Sequence, residues 1–281
     1  MCTDNASDRV ETVNCRLLAL DLDGTILDGE RRLADDVAEA ITRVHKRDIT
    51  VVLCSGRMVC SVEPFWRRLG LDTPIIGYNG ACARQPETGE TVFYEPVPRE
   101  LTLELVGLAR SRRLHVHTYI DDELWVAERN DYVRRYEGNY GVTARVVGNL
   151  GQALTQASTK VLLVVKSADI DRLCEELQER YRGRLFVTQS EDIHVELLSR
   201  RANKGTALQA VARWLGLAAD SSVAVGDGIN DVEMLRWAGL GVAVAGAKPR
   251  LRAEADMVLD EGSTSLVRFL DRLEPVAPAE P

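Results

Sequence analysis

Four short apolar runs, each closing on a polar residue, set the limits on what this chain can fold into: CRLLALD, ITVVLCS, TPIIGYN and SSVAVGD. Each run is apolar on both sides. That is the composition of a strand buried on both faces of a sheet, which does not alternate as a half-exposed strand does. Segments with helical spacing lie between them. Leu33, Val37, Ala40, Ile41 and Val44 mark a helix over 33–46, and a second helix follows near 62–69. ALQAVARWLGL ends at Gly216, and DVEMLRWAG carries Gly239 near its end. LGVAVAGA and ADMVLD add two more strands. The alternation predicts an α/β fold: a Rossmann-like parallel sheet core with helices on both faces. In open sheets of this kind, ligands gather outside the carboxyl ends of the strands, where these polar residues stand.

The middle of the chain has another pattern. PETGETVFYEPVP reads as a hairpin around Thr88-Gly89, and LTLELVGLARSRR as a helix. LHVHTYI and ELWVAE read as half-buried strands joined through Asp121-Asp122. KVLLVVK, a helix from Asp169 to Tyr181, RLFVTQ and DIHVELL complete the region. Residues 84–199 are therefore expected to form an inserted mixed α/β cap domain, with 15–83 and 200–273 as a discontinuous core. The arm 1–14 and the tail 274–281 are expected to be flexible.

Lys and Arg number 35 and Asp and Glu 43, a formal charge of -8. No long basic run offsets that field, which argues against a nucleic-acid partner. Arg110, Arg112 and Arg113 read as a solvated helix face. No apolar stretch is long enough to span a membrane, and the N-terminus lacks the apolar middle of a signal peptide. The six cysteines form no CxxC, and Cys15, Cys54 and Cys82 sit in or beside apolar runs. Buried free thiols and a cytoplasmic location are the expectation.

Asp21 and Asp23 stand two apart in DLDGT, so they share a face if the strand geometry runs on. Leu22 points into apolar packing, Gly24 lets the backbone turn, and Thr25 bonds locally. Two carboxylates at the mouth of a buried sheet repel each other and call for a positive partner. A hard divalent cation is the simplest, and magnesium suits phosphate esters. DLDGT alone also reads as an Asp-rich turn, but other sheet ends supply complementary groups. Ser55 can donate to a phosphoryl oxygen, Lys204 is a mobile cation, and Asp227 ends another apolar strand.

DLDGT at 21–25, Ser55-Gly56-Arg57, Lys204 and GDGIND at 226–231 closely resemble the haloacid dehalogenase superfamily of phosphotransferases. NGA at 79–81, NKGTAL at 203–208 and GVAVAGA at 241–247 resemble its Cof-type hydrolases, which carry a large C2-type cap between the second and third motifs. The motifs frame the chain from about Leu17 to Leu259. The resemblance implies that Asp21 is the nucleophile, forming an aspartyl-phosphate, and that Asp23 is the general acid and base. It implies Mg2+ held by Asp21, the Asp23 backbone carbonyl and Asp227. Lys204 would be catalytic too, pairing with both the nucleophile and the phosphate; Ser55, Gly56, Lys204 and Asn230 would hold the phosphate, with Asp231, Asn79 and Arg57 in support. The run GAK at 246–248 departs from a Gly-Asn common in such chains and leaves these assignments untouched. The implied activity is hydrolysis of a small phosphate monoester, a sugar phosphate or a phosphorylated cofactor such as pyridoxal phosphate, with no nucleic-acid or membrane partner. A sugar phosphotransferase or phosphomutase on the same scaffold is the alternative, and a non-catalytic phosphometabolite-binding protein a further one.

Several residues make weaker claims. His115, His117 and Tyr119 alternate on one strand face; His117 and Tyr119 are candidates to reach substrate from the cap, or else they lie on the solvated face of the cap sheet or pack under its helices. Trp125 and Tyr94 are similar cases. His194 reads as structural and His45 as solvent-facing. Glu191 and Asp192 sit in a polar turn. Cys60 near a helix start raises the question of a reactive thiol, though packing explains it more simply.

Overall fold

The computed structural model describes residues 12–262 and 264–276. Two compact units divide the chain. One comprises the described parts of Met1–Leu53, Phe65–Thr73 and Ala212–Pro281; the other comprises Cys54–Pro64 and Pro74–Val211.

The first unit is built on the apolar runs. Leu17–Asp21 and Ser222–Gly226 are buried at every position, as a strand covered on both faces must be. They pair in parallel, Ser222 to Val225 against Leu17 to Leu20. Leu240–Ala243 adds in parallel to Ser222–Gly226, and Met257–Val258 to Leu240–Ala243. Thr50–Cys54 lies beside Leu17–Asp21, with residues 50–53 in this unit. Each fully buried Leu or Val in these strands contributes about 1.5–3 kcal/mol, so the register of the sheet is strongly fixed. Helix Asp35–His45 buries Val37, Ala38, Ala40, Ile41 and Val44, the stripe expected from its spacing, and packs on helix Ser265–Asp271. The arm expected over 1–14 is not free along its whole length. Val13–Cys15 is a strand paired in parallel with Leu273–Pro275, so residues 13–15 and 273–275 are held by backbone hydrogen bonds. The rest of those two expectations, residues 1–11 and 277–281, lies outside the described residues.

In the second unit the end of Thr50–Cys54 pairs in parallel with Ile75–Gly77, Cys54 facing Ile76. Beyond that the direction reverses. Cys82–Arg84 and Thr91–Tyr94 are antiparallel neighbours turning at Gly89, so the core sheet is mixed where a purely parallel one was expected. A second sheet of six strands makes the inserted, β-rich cap. Its order is Leu185–Glu191, His194–Ser199, Val161–Val164, His115–Ile120, Glu123–Val126, Ala144–Val146. Its strands are joined by a tight turn at Asp121-Asp122, both with positive φ, where Asp is tolerated better than most residues. Helices Arg99–Ser111 and Ile170–Arg180 pack on one face through Leu105, Leu108, Leu173 and Leu177 against Val116, Val161, Leu163 and Val195. His115–Ile120 was expected to be half-buried. It is buried from Val116 onward, because helix Asp131–Tyr140 supplies Tyr136 to rings on its other side.

Candidate active site

In the first unit the acidic motif turns sharply at the end of its strand. Three amides, those of Thr25, Ile26 and Leu27, donate to the Leu22 carbonyl, and the Thr25 hydroxyl donates to Asp21 Oδ2 at 2.9 Å. Gly24 has φ +84, and a Cβ there would collide with the Asp227 carboxylate. Glycine is needed twice over here, for the turn and for the close approach. The second acidic loop is fixed by its own backbone. Asp231 Oδ2 accepts from the amides of Asp227 at 3.0 Å and Gly228 at 2.9 Å, and a Cβ on Gly226 would come within 2.6 Å of Asp231.

These two loops bring Asp21, Asp227 and Asp231 together, with one carboxylate oxygen from each lying within 4.8 Å of the others. Asp21 and Asp231 are buried and Asp227 half-buried. Like charges at about 5 Å repel by about 3 kcal/mol per pair at an effective dielectric near 20. Hard oxygen donors gathered against that repulsion fit a divalent cation. Asp231 joins this group, although only a supporting part was expected of it. Asp23 is not a member; it is half-buried and bridges its backbone to Leu27. Asn230 lies against Gly228 in the same loop.

In the second unit Ser55, Gly56, Arg57 and Asn79 form one knot. The Ser55 amide donates to Ile76, the Tyr78 amide to the Arg57 carbonyl, and the Asn79 amide to the Ser55 carbonyl. Asn79 sits at φ +54, and its Oδ1 comes within 2.8 Å of where a Cβ on Gly56 would stand. The Arg57 amide donates to Ser55 Oγ at 3.1 Å, while its guanidinium lies 5.5 Å from the Tyr140 ring. Gly80, at φ +89, packs so tightly on the Asn203–Lys204 backbone that no side chain fits. The start of helix Lys204–Trp214 is thereby held on the same turn, and Lys204 is fully buried.

Two charged residues that the sequence reading passed over complete this knot. Lys160 Nζ donates to Glu196 Oε1 at 3.0 Å and to the Gly56 carbonyl at 3.3 Å, and Glu196 Oε2 accepts from Asn79 Nδ2 at 3.0 Å. Their side chains are 2% and 5% exposed. Burial pulls the Lys160 ammonium down, but the Glu196 carboxylate and Tyr136 together outweigh it and leave the lysine above its ordinary value. The signal for both was a lone charge beside or inside an apolar strand, KVLLVV and HVELL.

Asp122, expected only as part of the connection between two strands, has a further place here. It accepts from the amides of Val59 and Cys60 at the start of helix Val59–Arg68, and from the Tyr78 hydroxyl at 2.6 Å. Burial, with Asp122 adding to it, pushes the Cys60 thiol up to about 12, so the acid in front of the helix removes the activation a helix start would give. His117 and Tyr119 are fully buried, their rings packed with Tyr136. His194 is buried two strands away, on the far side of Val161–Val164, Tyr94 bonds Thr159, and Trp125 bonds Glu123 beneath the Arg145 guanidinium. His45 is partly exposed, 3.9 Å from Asp72. The side chain of Glu191 lies outside the described ones. Among the described residues, Cys15, Cys54, Cys60, Cys82 and Cys174 are free thiols, and no helix is long and apolar enough to cross a membrane.

The haloacid dehalogenase-like hydrolase family matches residues 18–266. The HMP-PP phosphatase of Cronobacter sakazakii is 30% identical over 249 residues, 85% of this chain and 87% of that protein. The pyridoxal phosphate phosphatase of Escherichia coli is 26% identical over 265 residues, 91% of this chain and 97% of that one. A solved haloacid dehalogenase-like hydrolase from Bacteroides thetaiotaomicron superposes with a TM-score of 0.83 at 25% identity, covering 92% of this chain and 99% of that one. With the DLDGT and GDGIND loops forming one carboxylate cluster, the chain belongs to the haloacid dehalogenase-like hydrolases and is a phosphohydrolase with a large inserted cap.

Proposed function

We propose that this protein is a Mg2+-dependent phosphatase of small phosphate monoesters that works through an aspartyl-phosphate on Asp21. The observation that carries the reading is the meeting of Asp21, Asp227 and Asp231 within 4.8 Å, with Asp21 oriented by the Thr25 hydroxyl. Asp21, Asp227 and the Asp23 carbonyl would hold the ion, with Asp231 beside them, and the ion would supply positive charge toward the phosphoryl oxygens.

The chain's own groups then divide the work. An Asp21 carboxylate oxygen forms the bond to phosphorus as the bond to the ester oxygen breaks, and Asp23 delivers a proton to that leaving oxygen. Asp23, now ionised, takes a proton from water as the water oxygen attacks phosphorus. Inorganic phosphate leaves and the Asp21 carboxylate is restored. Family resemblance gives Ser55, Gly56, Lys204 and Asn230 the holding of the phosphoryl oxygens, with Arg57 and Asn79 bracing the loop. On this reading 15–83 and 200–273 are the catalytic core and 84–199 the cap that limits substrate size. His117 and Tyr119, buried with their rings against Tyr136, support the cap from within on this reading. The named activities of the two relatives, on pyridoxal phosphate and on HMP-PP, favour a phosphorylated cofactor or a related small metabolite, with sugar phosphates next, in the cytoplasm.

A screen of phosphorylated metabolites with added Mg2+, using Asp21→Asn as the blank, tests this. Phosphate release from at least one small ester, lost in Asp21→Asn and on chelation, is expected. Release unchanged in Asp21→Asn overturns the assignment.

A further inference from the structure

We propose that Lys160 and Glu196 are positioning residues that aim the Ser55 hydroxyl through the Gly56–Arg57 peptide. The inference rests on the reading of Ser55 as a phosphoryl-holding group. One peptide unit carries the effect. Its carbonyl, that of Gly56, accepts from Lys160 Nζ at 3.3 Å; its amide, that of Arg57, donates to Ser55 Oγ at 3.1 Å. A cation at the carbonyl end polarises the peptide and makes the amide a stronger donor. With that amide filling a lone pair of Ser55 Oγ, the hydroxyl proton is directed elsewhere, toward an external acceptor.

The remaining bonds show that the peptide is clamped from two directions. Glu196 holds Lys160 with one oxygen and the Asn79 amide with the other. Asn79 in turn crowds the Cα of Gly56 and bonds the Ser55 carbonyl through its own backbone. Lys160 and Glu196 come from adjacent cap strands, Val161–Val164 being immediately preceded by Lys160 and His194–Ser199 containing Glu196, so the cap sheet itself sets the tilt of this peptide. A buried ion pair is a weak source of stability, and apolar residues of similar volume hold a fold as well or better. Its value here is orientation.

The test is a double-mutant cycle between Lys160 and Ser55, read as kcat and KM for p-nitrophenyl phosphate with Mg2+. Lys160→Met is expected to lower kcat about 10- to 100-fold while KM moves less than about threefold, because the oxygens Ser55 serves gain charge in the transition state. In a Ser55→Ala background the same change is expected to cost less than about twofold, since the hydroxyl it serves is gone. If an unpaired Glu196 unfolds the single variant, the neutral pair Lys160→Met with Glu196→Gln replaces it, checked by a cooperative melt. Equal losses in both backgrounds, wild-type kcat in the neutral pair, or a neutral pair that does not melt cooperatively each overturn the proposal and leave the two residues as parts of the fold. Ser55→Ala turning over like wild type would instead strike the reading of Ser55.

Discussion

Two buried charge clusters in this protein are built on opposite principles. The first unit gathers like charges, with Asp21, Asp227 and Asp231 pressed to within 4.8 Å. The second pairs opposite ones, with Lys160 and Glu196 at 3.0 Å and the spare carboxylate oxygen given to Asn79. A cluster of like charge stores repulsion that a cation relieves, so it responds to what binds. A matched pair is already satisfied and answers mainly to geometry. Changes in the first cluster should therefore register in chemistry and metal dependence, and changes in the second in alignment.

The sharpest break in that contrast is Asp21→Asn, which keeps the shape of the side chain and removes the nucleophile. Turnover is expected to fall by at least about 10^4-fold with folding intact, measured as phosphate release alongside a thermal melt. A milder probe of the same cluster is Asp227→Asn, expected to raise the Mg2+ concentration for half-maximal rate by about 10- to 100-fold. An unchanged metal requirement would place the cation elsewhere. Gly24→Ala links the two acidic loops, since its Cβ would strike Asp227 from a left-handed backbone. A loss of about 1–3 kcal/mol in denaturant unfolding is expected, together with a raised Mg2+ requirement.

The smallest effect belongs to the cap. Burial, with His115, His194 and Lys160 adding to it, holds His117 well below its ordinary value of 6.5, and neither ring nitrogen has a hydrogen-bond partner among the described residues. The folded protein keeps this imidazole neutral, while the unfolded chain takes up a proton as pH falls past 6.5. Below that point the unfolded state binds more protons, so stability drops as pH falls, by up to about 1.4 kcal/mol per pH unit, until the folded-state value is reached. Melts between about pH 7.5 and 5 should show this decline, and His117→Leu should flatten it. Equal slopes in the two proteins would remove His117 as the cause.

The same contrast explains what could be read in advance. Asp21, Ser55 and Asp227 each close an apolar run at a strand's carboxyl end, with Gly24, Gly56 and Gly228 close behind to let the loop turn, so a few contiguous residues announce them. Lys160 and Glu196 show only a lone charge at an apolar strand, because their meaning lies in a pairing across two strands and a contact with a peptide far away in sequence. Helix Asp131–Tyr140 escaped for a related reason. Only Val133 and Tyr136 are buried along it, so its apolar periodicity is faint, although Asn130 and Gly141 cap it as helix ends are usually capped. With that helix unseen, His117 and Tyr119 looked half-exposed.

The most direct measurement is an acid quench of enzyme mixed with a phosphate ester labelled on phosphorus, in the presence of Mg2+. Label should stay with the wild-type protein, be released by hydroxylamine as an acyl phosphate is, map to the peptide containing Asp21, and be absent from Asp21→Asn. Phosphate release with no labelled protein at any quench time, or label on another residue, would contradict it.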